Sequence, residues 1–118
     1  MKATVFHLGT CSTCQRILKE WQPGDDVVLQ DIKTEKIKAG QLDEMAKLAG
    51  SYEALFSRRA MKFRSMGLAD QDLGEKDYRR LILEEYTFLK RPVLVIGEQI
   101  FVGSAKKNVA AAAEALKG

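Results

Sequence analysis

The chain contains two cysteines and no more, and they stand three residues apart in Cys11-Ser12-Thr13-Cys14, at the point where a strand pattern gives way to a helix pattern. Lys2 to Leu8 is β-branched, aromatic and apolar, which predicts a buried strand, and Gly9-Thr10 supplies the turn. A helix is expected to begin at about Cys11, and Cys14, Ile17, Leu18 and Trp21 then fall at i, i+3, i+4 and i+7, one apolar stripe turned inward. The free N–H groups and positive dipole end of a helix start favour an anion, so a cysteine there is a thiolate nucleophile in waiting. Cys11 is therefore read as the exposed attacking thiol and Cys14 as the sheltered resolving one.

Two other uses of the pair compete with that reading. A structural zinc clip needs four ligands, and beyond the two cysteines the chain offers one histidine, His7, so no metal is expected. Ordinary core cysteines are common, but a cysteine straight after Gly9-Thr10 at a helix start is badly placed for burial.

At 118 residues the chain is expected to form one domain over 1–118. With 46% hydrophobic and 30% charged residues and a net charge of +3, neither nucleic acid nor an anionic membrane is implied as a partner. No run approaches the roughly 20 apolar residues of a membrane span, and the Met1-Lys2 start carries no apolar segment of a signal peptide. The expectation is a cytoplasmic monomer. In that compartment a C-x-x-C pair is more consistent with redox work than with a structural staple.

Gln22-Pro23-Gly24 breaks the first helix and Val27 to Ile32 reads as a second strand, giving a β-α-β start. From about 40 to 90 the pattern is helical. Leu42, Met45, Ala46 and Ala49 form a stripe closed by Gly50, Tyr52 to Phe56 is a short apolar patch, and Tyr78, Ile82, Tyr86 and Leu89 form a second stripe, ended by Lys90-Arg91-Pro92. Tyr78, Tyr86, Phe88, Met45, Met61 and Met66 are read as packing residues. Val93 to Ile96 and Ile100 to Val102, separated by Gly97-Glu98-Gln99, predict a hairpin. Val109, Ala112, Ala113 and Leu116 share one face of a last helix ended by Lys117 and Gly118.

The order β-α-β, helical insertion, β-β-α, with C-x-x-C after the first strand and X-Pro before the third, is that of an α/β thioredoxin-like fold with a mixed four-stranded sheet and flanking helices. The chain resembles the arsenate-reductase-like family, which includes the ArsC enzymes and the Spx regulators. The resemblance rests on Phe6 to Cys14, on Ala54-Leu55-Phe56-Ser57-Arg58-Arg59, and on Leu89-Lys90-Arg91-Pro92-Val93-Leu94-Val95. It implies that Arg91 faces Cys11, that the Arg91–Pro92 peptide is cis, and that His7, four residues before Cys11, tunes the thiolate. A guanidinium offers a planar fork of donors to an oxyanion and a fixed charge to a thiolate. Arg58 and Arg59 are the second basic element implied for substrate binding, Arg59 matching the Spx-like Ser-x-Arg pattern better. Read without the resemblance, these arginines with Lys62 and Arg64 are a solvated basic face, His7 closes a strand, and Pro92 stops a helix.

Two features separate this chain from arsenate reductases of that type. They resemble a lone-cysteine design, whereas Cys14 is present here, and they carry a further arginine where this chain reads Gln99-Ile100-Phe101-Val102-Gly103-Ser104. The pair and the Val102-Gly103 ending are more similar to Spx proteins, which continue into a basic tail. The implied activity is thiol-disulfide oxidoreduction on a small oxyanion or disulfide. No cofactor would be bound, and reducing equivalents would come from thioredoxin or from glutathione and glutaredoxin. The alternative is a redox-sensing regulator that binds RNA polymerase without contacting nucleic acid directly.

Overall fold

The computed structural model describes residues 3–117, so Lys2 and Gly118, placed above in the first strand and at the end of the last helix, lie outside the described residues. The chain falls into two units, one made of residues 1–36 and 91–118 and the other of residues 37–90.

The first unit is built on four strands, β1 (Ala3–His7), β2 (Val27–Asp31), β3 (Val93–Ile96) and β4 (Gln99–Val102), ordered β2-β1-β3-β4. β1 runs parallel to β2, with Val5 opposite Leu29, and antiparallel to β3, with Val5 opposite Leu94. A parallel pair requires a crossover, and α1 (Ser12–Trp21) provides it. Between β3 and β4 two residues, Gly97 and Glu98, make the turn, so Gln99, expected in the loop, instead pairs with Ile96. Gly97 adopts φ 58°, the positive value that a two-residue hairpin turn demands.

One face of this sheet carries the unit's core. Ala3, Val5, Leu94 and Ile96 pack against Ile17 and Trp21 of α1 and against Val109 and Ala112 of α5 (Lys106–Lys117). The inward stripes of both helices are those their spacing predicts, with Cys14, Ile17 and Trp21 buried on α1. Trp21 sits where an indole can be both apolar filler and donor, its Nε1–H reaching the Val109 carbonyl at 3.0 Å. The outer strand β2 is different: Val28 and Leu29 stay exposed, as an edge allows.

The second unit is helical, with α2 (Ala39–Ala49), α3 (Met61–Ser65), α4 (Glu75–Glu84) and short 3₁₀ turns at Glu53–Leu55, Leu68–Asp70 and Tyr86–Phe88. Gly50 ends α2 at φ 99°, a left-handed cap that costs glycine least. Leu42 and Met45 of α2, Leu55 and Phe56, and Tyr78, Leu81 and Ile82 of α4 are buried. The aromatic centre is Phe56, stacked on Phe88 at 5.1 Å between centroids and tilted against Tyr78 at 4.8 Å.

Two expectations fail here. The stripe Tyr78, Ile82, Tyr86, Leu89 does not lie on one helix, because α4 ends at Glu84 and Glu85 is extended. The backbone bonds that would continue α4 are spent elsewhere: Ser57 N–H reaches the Phe88 carbonyl at 2.7 Å and Lys90 N–H the Leu55 carbonyl at 2.8 Å, a small antiparallel bridge across Phe56 and Leu89. Met61 and Met66 are not packing residues either, being 88% and 45% exposed.

Candidate active site

β1 ends at His7, and the chain turns through Leu8, Gly9 and Thr10 into α1. Three contacts shape that turn. Cys11 N–H bonds the Leu8 carbonyl at 3.0 Å, the Gln15 amide bonds the Gly9 carbonyl at 3.2 Å, and the Asp31 carboxylate lies so close over Gly9 that a Cβ there would collide with Oδ2. Asp31 is itself fixed by Lys33 N–H, which donates to Oδ1 at 3.1 Å. Any side chain at position 9 would have to push that carboxylate aside, and the loop delivers Cys11 to the N-cap of α1, with φ −90° and ψ 115°.

Both thiols are free, Cys11 half-buried and Cys14 completely buried. The Cys11 sulfur makes no capping hydrogen bond, but the helix start still acts on it electrostatically. Partial burial works against the charged form. The backbone N–H of Cys14, its thiol, the N–H of Thr13 and the charge of Arg91 outweigh it and hold Cys11 below its ordinary value. Cys14 goes the other way, pushed up to about 11 by burial, against which the Leu8 N–H and Arg91 work, while the neighbouring Cys11 sulfur adds to the rise. One thiol is therefore primed for ionisation and its partner is held protonated beside it.

Arg91 belongs to this unit and its charge reaches both sulfurs. It is half-buried, and the Arg91–Pro92 peptide is cis. Pro92 is buried, its carbonyl accepting from Gly103 N–H at 2.9 Å, so the segment before β3 is tied to the end of β4. His7 shares a face of β1 with Ala3 and Val5, the face that packs on α1, and its Nδ1 is buried without a hydrogen-bond partner. It is half-buried and stands opposite Asp31 across the β1–β2 pair.

Arg58 and Arg59 belong to the second unit. Arg58 is engaged there: its Nη2 bonds Glu53 Oε2 at 2.9 Å and the Tyr78 hydroxyl at 2.8 Å, and its guanidinium lies 5.6 Å from the centre of the Tyr78 ring. The ion pair with Glu53, chiefly, raises the Arg58 pKa further. Arg59 is exposed. Among the described residues no group of three or more histidine, cysteine or acidic side chains could hold a metal ion, and no helix is long and apolar enough to cross a membrane.

The Leu8 N–H, the Gln15 amide and Asp31 also belong to this site, and no local sequence signal marks them. Gly9 was legible as a turn, but nothing in the spacing links it to a carboxylate 22 positions later, which only the β1–β2 register brings alongside.

No curated protein matches the chain in sequence. Among solved structures, a protein called YFFB is 24% identical with a TM-score of 0.77, the match covering 94% of this chain and 98% of that one. An arsenate reductase from Vibrio cholerae is 17% identical with a TM-score of 0.74, covering 94% and 97%. An arsenate reductase (ArsC) related protein from Brucella melitensis is 26% identical with a TM-score of 0.66, covering 94% and 93%. These likenesses give the thioredoxin-like fold. The ArsC family model matches residues 6–112, which takes in the thiol turn, the helical segment and both later strands, and the chain belongs to the ArsC family.

Proposed function

We propose that the protein is an arsenate-reductase-like thiol oxidoreductase in which Cys11 is the nucleophile and Cys14 the resolving thiol. The observation that carries this reading is the opposed ionisation of the two sulfurs at one helix start, Cys11 lowered and Cys14 raised to about 11. With a disulfide substrate, the Cys11 thiolate attacks one sulfur, a mixed disulfide forms and the other sulfur leaves as a thiolate. With an oxyanion such as arsenate, Cys11 adds to the central atom and an oxygen leaves as water after protonation, Arg91 neutralising the remaining negative oxygens. Cys14 then gives up its proton and attacks the Cys11 sulfur. The Cys11–Cys14 disulfide forms, and the substrate fragment leaves with the electron pair that has reduced it. Leu8 N–H supports the charge that develops on Cys14.

Once Cys11 is bonded to substrate, its negative charge no longer opposes ionisation of Cys14, so the order of the two attacks follows from the electrostatics. A reductant of the thioredoxin class, or glutathione with glutaredoxin, returns the pair to thiols in the reducing cytoplasm this reading assumes. The presence of arsenate reductases among the structural neighbours supports the oxyanion branch, and the buried second cysteine supports internal resolution over release to an external thiol.

The test is turnover of arsenate and of a model disulfide, each with thioredoxin and with glutathione plus glutaredoxin. Turnover with at least one pair, lost in Cys11→Ser and stalled at a covalent Cys11 adduct in Cys14→Ser, is expected. No turnover with any pair, or full activity in Cys11→Ser, would overturn the reading.

A further inference from the structure

The net charge of the chain has an address. Between Glu53 and Asp70 there is no acidic residue, and the stretch holds Arg58, Arg59, Lys62 and Arg64, leaving 15 of the 19 basic residues against all 16 acidic ones elsewhere. One short segment thus accounts for more than the whole net charge of +3. Arg58 is held by Glu53 and Tyr78, whereas Arg59, Lys62 and Arg64 are exposed.

The same segment contains α3, the one described α-helix with no buried residue. Five residues are too few to hold a helix by propensity, and most helices in proteins persist because one face is packed. Here half-buried Phe63 approaches Phe56 edge-on, at 6.0 Å between centroids, and the helix otherwise touches the turns at Leu68–Asp70 and Tyr86–Phe88. What α3 presents outward is Met61, 88% exposed, with Met66 just beyond its end at 45%. Methionines set among cations make an adaptable apolar surface with a charge bias.

We infer that Arg59, Met61, Lys62, Arg64 and Met66 form a docking surface for an acidic protein segment that carries an apolar side chain between its carboxylates. The uncompensated positive charge attracts and orients such a partner, and the two flexible thioethers receive its apolar residue. Nucleic acid fits less well. Single strands are held by cations together with exposed aromatic rings, and the exposed large apolar side chains of this surface are two methionines.

Fluorescence anisotropy on the full chain tests this with three labelled probes: a short peptide repeating Glu-Glu-Leu, an oligoglutamate of equal charge, and single-stranded oligothymidine. The Glu-Glu-Leu peptide should bind about tenfold more tightly than oligoglutamate, and more tightly than oligothymidine. Lys62→Glu with Arg64→Glu should weaken it by about tenfold or more, and Met61→Ser should remove the advantage over oligoglutamate. Since Met61, Lys62 and Arg64 are all exposed, these variants should keep the wild-type circular dichroism and thiol titration. Equal binding of the two peptides, tighter binding of oligothymidine, no binding of any probe, or indifference to the variants would each overturn the inference.

Discussion

The turn that carries Cys11 and the turn that precedes Arg58 are built from the same kinds of group and put them to opposite uses. At Ser51–Arg58 the charged groups are engaged by local partners: Glu75 accepts from the N–H groups of Tyr52 and Glu53 at 2.7 and 3.1 Å, and Arg58 donates to Glu53 and to the Tyr78 hydroxyl. Close by, Asp43 accepts from the Tyr52 hydroxyl at 2.6 Å and from Arg79 at 2.8 Å. At Cys11 the helix N–H groups end on no capping bond, and their field, with that of Arg91, falls on a sulfur. Satisfied charge makes a brace, and charge aimed at a sulfur favours a thiolate.

The two turns should differ most in what they contribute to stability. The thiol turn stands on a packed helix, so Ile17→Ala should cost about 2–5 kcal/mol in chemical denaturation. The brace is exposed, so Glu53→Gln should cost no more than about 1 kcal/mol. Equal costs would mean that the exposed ion pair contributes as much to stability as the buried apolar side chain. Reactivity is the next test. At neutral pH a thiol at about 11 is almost wholly protonated, so iodoacetamide followed by mass spectrometry should label Cys11 roughly 100-fold faster than Cys14 or more. Comparable rates would remove the division of roles between the sulfurs.

A smaller effect sharpens the contrast. Arg91→Ala should raise the Cys11 pKa in a thiolate absorbance titration, Arg91→Lys should largely preserve it, and Glu53→Gln should leave it unchanged. A shift with Glu53→Gln would show that the brace is not electrically closed. The smallest effect concerns acid. Hydrogen bonds from Arg79 and Tyr52 hold Asp43 down to about 2, against an ordinary 3.8. Its contribution to stability is therefore complete above about pH 4 and lost as pH falls through 2. Asp43→Asn should be slightly less stable than wild type at neutral pH and indistinguishable from it in strong acid.

What the sequence disclosed and what it hid divide along local and non-local physics. The stripe Cys14, Ile17, Trp21 and the helix start at Cys11 follow from spacing and turn residues within one stretch of chain, and they position the two thiols. The stripe from Tyr78 to Leu89 obeys the same rule and misleads, because Ser57 and Lys90 compete for the backbone with partners 31 and 35 positions away. Met61 and Met66 were unreadable for a related reason: exposure of an apolar residue depends on whether anything packs over it, which no spacing records. Arg58 and Arg59 are adjacent in sequence, yet one is bound to Glu53 and Tyr78 while its neighbour points to solvent, a choice made by α4 rather than by the Ser-Arg-Arg triplet.

The single tryptophan, bonded through its indole to Val109, lies in the first unit, and all three tyrosines, Tyr52, Tyr78 and Tyr86, lie in the second. The molecule thus carries a separate optical label in each half. Indole emission under selective excitation follows the core beneath α5, while the phenol bands, separated from the indole bands by derivative absorbance, follow the helical segment. A melting curve read by either chromophore alone describes half a protein, and coincidence of the two curves is the direct measure of whether the halves unfold as one cooperative body.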